Sequence, residues 1–160
     1  LRDVGLGLGY DVWIAANDRT REYNGGRLCD GCLDDLPVEL MGQPGSEAVR
    51  LIDVLWLSRA EGQVEAAFEV EHTTSIYSGI IRMLDLAYGS PEQAVRRLFL
   101  VAPDDREDQV REQLRRPAFH RIDDLHVRYI SYGDLQRDRD SVARFGSGLK
   151  AIDAIARQLH

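Results

Sequence analysis

The chain is 160 residues long, enough for one domain with a core of its own. Hydrophobic residues make up 44% and charged residues 29%, both ordinary for a soluble globular protein; no apolar run approaches the length of a bilayer span, and no basic, apolar leader is visible in a chain that opens at Leu1. A net charge of −7 argues against a surface coated for indiscriminate nucleic-acid binding, although metal-binding carboxylates add to such a charge and are neutralised locally when filled.

The chain opens at Leu1 rather than methionine and is expected to be a single domain, 1–160, excised from a longer polypeptide. Leu1–Gly9 reads as the end of a helix closed by Gly9. The Gly5-x-Gly7-x-Gly9 spacing precedes a strand instead of following one, so it lacks the context of a phosphate loop. Tyr10–Ala15 is rich in β-formers and predicts a strand. From Asn17 to about Ser46 the chain reads as irregular, with Asn24-Gly25-Gly26, Pro37 and Pro44-Gly45 as turn signals. Cys29 and Cys32, the only cysteines, lie in this stretch without a second ligand pair or a strand–helix junction, and read as loop thiols in a reducing, cytoplasmic setting. A site completed by a second chain is the alternative.

Leu51–Leu57 predicts a second strand, apolar except for Asp53, and Glu61-Gly62 turns it into a third strand, Val64–Glu71. Ser75–Tyr88 is helical, with Ile76, Ile80, Leu84 and Ala87 on one face. The run Leu98–Ala102 suits a strand buried on both faces. Asp104 with Glu107 predicts a capping box for a helix to about Arg115, and His126–Tyr132 alternates as a further strand. Val142, Phe145, Leu149, Ile152, Ala156 and Leu159 predict one C-terminal amphipathic helix, its stripe serving as core or as a dimer seam. The order is α/β, a mixed sheet with helices.

Chemistry concentrates on the second and third strands. Asp53 interrupts an apolar strand, and burying a carboxylate requires a partner, a metal or an opening to solvent. Glu69 and Glu71 alternate with Phe68 and Val70, so both acids face one side while Phe68 and Val70 face the core. Folding the hairpin brings Asp53 beside them, and three crowded carboxylates repel unless a cation intervenes. Mg²⁺ or Mn²⁺ suits such hard oxygen ligands.

Asp53, fifteen intervening residues and Glu69-Val70-Glu71 resemble the PD-(D/E)xK nuclease superfamily. That resemblance implies a restriction-endonuclease-like mixed β-sheet flanked by helices, with an α-β-β-β-α-β core, and a Mg²⁺-dependent endodeoxyribonuclease leaving 5′-phosphate and 3′-hydroxyl ends. It implies Asp53, Glu69 and the Val70 carbonyl as metal ligands, and DNA as partner. Glu71 stands where the family usually carries lysine, and the lone lysine, Lys150, lies far away in the C-terminal helix. Arg82, in the helix after the motif, is the expected substitute, with Ser78 and Asp85 on the same polar face; an Arg82–Asp85 surface pair is the alternative. Asn17, Arg19, His72, Thr73, Thr74 and Ser78 are candidate substrate contacts. For His72 a structural role, for the threonines helix capping, and for Asn17 and Arg19 a plain loop are the competing readings. The loss of lysine leaves a second function open, a catalytically inactive nucleic-acid-binding or assembly module. A glycosidase is disfavoured, since Glu69 and Glu71 are too close in sequence to flank a sugar bond. Further domains of the same polypeptide, and a homodimer, are the expected partners.

Overall fold

A computed structural model describes residues 1–72, 75–89, 95, 97–119, 126–145 and 148–159. Helix α1 (Arg2–Gly7) leads, closed by Gly9 at φ +88°, into strand β1 (Asp11–Ile14). The stretch expected to be irregular carries a small hairpin, β2 (Glu22–Tyr23) and β3 (Gly26–Arg27), and two single-turn helices, α2 (Val38–Met41) and α3 (Ser46–Val49). Then come β4 (Val54–Leu57), β5 (Val64–Val70), helix α4 (Ile76–Gly89) and β6 (Arg97–Ala102). A 3₁₀ turn (Asp104–Arg106), helix α5 (Glu107–Leu114), strand β7 (Arg128–Ser131) and helices α6 (Tyr132–Phe145) and α7 (Leu149–Asp153) complete the chain.

The protein is α/β. Its main sheet has five strands in the order β1-β4-β5-β6-β7. The β1–β4 and β4–β5 pairings are antiparallel, and β5–β6 and β6–β7 are parallel, so the sheet is mixed. Parallel neighbours require a crossover, and α4 makes it between β5 and β6. This arrangement is compatible with a restriction-endonuclease-like fold.

Helices cover both faces, which explains why β4 is buried along its whole length. Alternation sorts its side chains into two cores. Leu55 and Leu57 join Ala67, Leu98, Leu100 and the Ile76–Ile80–Met83 face of α4. Val54 and Trp56 join Phe68, Phe99, Val4 of α1, Val142 of α6 and Ile152 of α7. The second core contains an aromatic row across the sheet: Tyr10 stacks on Trp56 at 5.4 Å, Trp56 meets Phe68 at 4.5 Å, and Phe68 stacks on Phe99 at 5.0 Å.

Three sequence expectations are corrected. The single C-terminal helix is two, because Gly148, at φ +56°, breaks the chain before α7, and α6 begins at Tyr132, taking the end of the expected strand. The capping box does not form. The 3₁₀ turn delays α5 until Glu107, and Asp104 instead accepts the Gly133 N–H at 2.9 Å, which lowers its pKa. The side of the sheet opposite Phe68 is the core beneath α4, not the uncovered side that a core on the Phe68 face alone would leave, so Glu69 and Glu71 are themselves covered, by α4.

Both outer strands are engaged at their centres. Tyr129 of β7 exchanges two backbone hydrogen bonds with Arg157 of the C-terminal tail, at 2.8 and 2.7 Å, and Val12 of β1 accepts the Leu33 N–H at 2.8 Å. Among the described residues no helix is long and apolar enough to cross a membrane.

Candidate functional site

The antiparallel register pairs Val54 with Phe68, so Asp53, one residue before β4, stands across from Glu69. The hairpin was expected to do this, and its geometry is specific: the Val70 N–H donates to Asp53 Oδ2 at 2.6 Å. Asp53 is half-buried, while Glu69 is 0% and Glu71 2% exposed. One turn and a half into α4, Arg82 reaches Glu69 with both arms of its guanidinium, Nε to Oε1 at 2.9 Å and Nη2 to Oε2 at 2.5 Å. Arg82 therefore points to the strand, not to Asp85 on its own helix.

Asp53, Glu71 and Arg82 line a cleft of about 500 Å³ between the ends of β4 and β5, the first turns of α4 and the loop after β1, while Glu69 itself is fully buried behind Arg82. Asp53, Val70, Glu71, His72, Ser78 and Arg82 face it, as does Asn17. Arg19 does not. Its guanidinium sits 4.8 Å over the Trp13 ring and donates to the Leu33 carbonyl at 2.8 Å, so the structure places this expected substrate contact in a packing role. Arg21, which the sequence reading did not single out, lines the cleft instead and pairs with Asp18 at 2.8 Å. His72 lines the cleft, and its ring stacks on Tyr132 with centroids 6.0 Å apart. Thr73 and Thr74 lie outside the described residues.

Electrostatics mark the cleft. Burial pushes the Asp53 carboxyl up, against the pull of the Val70 N–H. Burial likewise raises Glu69, to about 8, while the hydrogen bonds from Arg82 oppose it. Arg82 is raised in turn by its bonds to Glu69, and burial with the negative charge of Asp53 and Glu71 raises the Tyr132 phenol. Three acids face one guanidinium, and excess negative charge under a helix is what a hard divalent cation would relieve.

Among the described residues no group of three or more His, Cys, Asp or Glu is arranged to hold a metal ion as it stands. The Arg82 fork takes both oxygens of Glu69. The donor set nevertheless fits a hard cation. It is oxygen-only, and Asp53, half-buried, lines the cleft with only its Oδ2 accepting a hydrogen bond among the described residues. Asp53, Glu71 and Glu69, once released from Arg82, would hold the ion. Because a cation binds the deprotonated forms, and folding raises Asp53 and Glu69, binding must release protons. Mn²⁺ affinity is therefore expected to rise as pH goes from about 6 to above 8, by up to roughly tenfold per pH unit for each proton displaced. Calorimetric titrations across that range would show it; a flat affinity would refute it.

Sequence reasoning missed two residues that shape this cleft, Arg106 and Gly79. Arg106, in the 3₁₀ turn after β6, donates Nη1–H to the carbonyls of Glu71 at 3.0 Å and His72 at 2.9 Å. Contacts through backbone carbonyls leave no trace in residue type. Gly79 did leave one, as a glycine within a helical pattern, where it disfavours the helix unless packing calls for it.

This chain belongs to a family of restriction-enzyme domains: the family model for the type II restriction enzyme NmeDI C-terminal domain matches residues 1–154. Among full-length proteins, the type II restriction enzyme NmeDI of Neisseria meningitidis serogroup C is 31% identical over 140 residues, a match covering 84% of this chain and 40% of that enzyme. The chain thus spans less than half the length of the relative it matches. No solved structure matches it.

Proposed function

We propose that this chain is a metal-dependent endodeoxyribonuclease domain of the PD-(D/E)xK type, hydrolysing phosphodiester bonds of DNA within a restriction system. The observation that carries the reading is the placement of Asp53, which lines the cleft, opposite the buried Glu69, in a chain of a restriction-enzyme family. Asp53, Glu71 and Glu69, with the Val70 carbonyl, would hold Mg²⁺ or Mn²⁺. Such an ion supplies Lewis-acid polarisation of the phosphate and a lower pKa for water. The chain's own residues do the rest. Arg82 leaves Glu69 for a phosphate oxygen, where its planar fork matches the developing charge. Asn17, Ser78 and His72 line the path of the backbone. Water attacks phosphorus in line, the P–O3′ bond breaks, and the ends are 5′-phosphate and 3′-hydroxyl. Further domains of the polypeptide supply sequence recognition, in keeping with the greater length of the relative, and the setting is cytoplasmic.

The test is plasmid nicking with Mg²⁺ or Mn²⁺. Asp53→Ala is expected to lower the rate by at least about 10²-fold without loss of fold. A wild-type chain that binds DNA but cuts none under either metal would sink the reading in favour of a second one, a catalytically inactive module. That alternative has its own support in the Arg82–Glu69 fork, which neutralises Glu69 without any metal. It predicts DNA binding unchanged by Asp53→Ala.

A further inference from the structure

We infer that Arg106 and Gly79 are positioning residues that hold Glu71 in the cleft as a working carboxylate. The third acidic position is then a constructed part of the site rather than the remnant of a lost lysine. This rests on the nuclease reading and extends it.

Glu71 lies one residue beyond the end of β5, where a chain leaving a sheet normally diverges. Here it does not diverge. Its N–H donates to the Val101 carbonyl at 2.8 Å, which continues the parallel ladder with β6. Its carbonyl, and that of His72, are gathered by Arg106 Nη1. Arg106 is steadied in turn, its Nε donating to Gln109 Oε1 at 3.0 Å. Both backbone polar groups of Glu71 are therefore fixed, one by β6 and one by the turn that follows β6. A backbone fixed on both sides leaves the side chain one face to occupy.

Gly79 fixes the other end of the residue. A Cβ at this position would lie 2.6 Å from Glu71 Oε1 and 3.2 Å from Cβ and Cγ of Glu69. Any other residue type there would move the Glu71 carboxylate. The nearest atom is the tip of a flexible side chain and must move, whereas Cβ and Cγ of Glu69, at 3.2 Å, need give by only a few tenths of an ångström. A glycine that weakens its own helix, set where both acids pass beneath it, is what a fixed carboxylate position requires.

A merely structural role would have Arg106 satisfying two carbonyls and Gly79 easing helix–sheet packing. Double-mutant cycles separate the two accounts, with Mn²⁺ alone as the probe and affinity read by calorimetry or by water-proton relaxation. Gly79→Ala and Arg106→Met should each weaken Mn²⁺ binding roughly tenfold or more, as loss of an orienting partner does. Arg106→Lys, which keeps a donor, should recover part of the loss. In a Glu71→Ala background, Arg106→Met should not weaken binding further, and Gly79→Ala, left only with its looser contact to Glu69, should weaken it far less than in the wild type. Equal losses in both backgrounds, or none in either, would overturn the inference. Should Gly79→Ala fail to fold, as judged by its melting transition, the Arg106 cycle decides alone. The nuclease reading fails separately, if wild-type chain binds no Mn²⁺ or binds it regardless of Asp53→Ala, and the positioning claim then falls with it.

Discussion

Replacing Arg82 by methionine is expected to strengthen Mn²⁺ binding while abolishing cleavage. In the metal-free chain the guanidinium holds both oxygens of Glu69, whose carboxylate is wholly buried, so Arg82 and a divalent ion compete for one ligand. Removing Arg82 removes the competitor and also a like charge facing the ion, and an affinity gain of roughly tenfold or more should follow. Without metal the same substitution removes the partner of buried Glu69; breaking such a pair costs up to about 3–5 kcal/mol, and less where Glu69, already raised to about 8, takes up a proton. The metal-free melting temperature should then fall by up to roughly 6–20 °C, and Mn²⁺ should restore much of it. Cleavage should drop by at least about 10²-fold, since the guanidinium that would meet the transition-state charge at the phosphate oxygen is gone. If Arg82 instead oriented Glu69 toward the ion, affinity would fall with activity. The sign of the affinity change decides between the two.

The second large effect belongs to the fold. Phe68 is fully buried and stands between Trp56 and Phe99 in the aromatic row. Phe68→Ala deletes a ring that two neighbours contact from opposite sides, in a sheet held by helices on both faces, so collapse around the void is limited. A loss of about 3–5 kcal/mol is expected. In a domain of this size that lowers the melting temperature by roughly 10 °C or more. Urea or thermal denaturation would check it, and a loss near 1 kcal/mol would mean that the row repacks. The consequence reaches the cleft, because Phe68 adjoins Glu69 and pairs with Val54 next to Asp53.

The hairpin and its acids were legible because two independent signals agreed. Strand alternation put Glu69 and Glu71 on one side, and the Glu61-Gly62 turn set the register that faces Asp53 to Glu69. Arg82 was legible from helical spacing alone, once α4 was known to return over the strands. What the sequence concealed was the depth of the site. Leu55 and Leu57 reach toward α4 as Val54 and Trp56 reach toward α1, and a strand apolar on both faces does not say which helix covers which. At the C-terminus the 3.6-residue period ran on through Gly148, although a positive φ there turns the chain. Helix α6 was missed because Gln136–Ser141 is wholly polar; its support comes from pairs such as Arg137–Asp134, at 2.8 Å, rather than from an apolar stripe. Arg106 acts on carbonyls, which every residue has.

The tail that bonds to Tyr129 has a bearing on assembly. An edge strand with free peptide groups invites a second molecule to extend the sheet. In this protein the middle of β7 is already satisfied by Arg157, and that arginine is tied down again through Glu107 at 2.8 Å. On the opposite margin, Leu33 claims a peptide group of β1. Two copies of this chain, if they pair to cut both strands of a duplex, would therefore meet through helices or loops. Merging their sheets through β7 would first require breaking the Tyr129–Arg157 bridge.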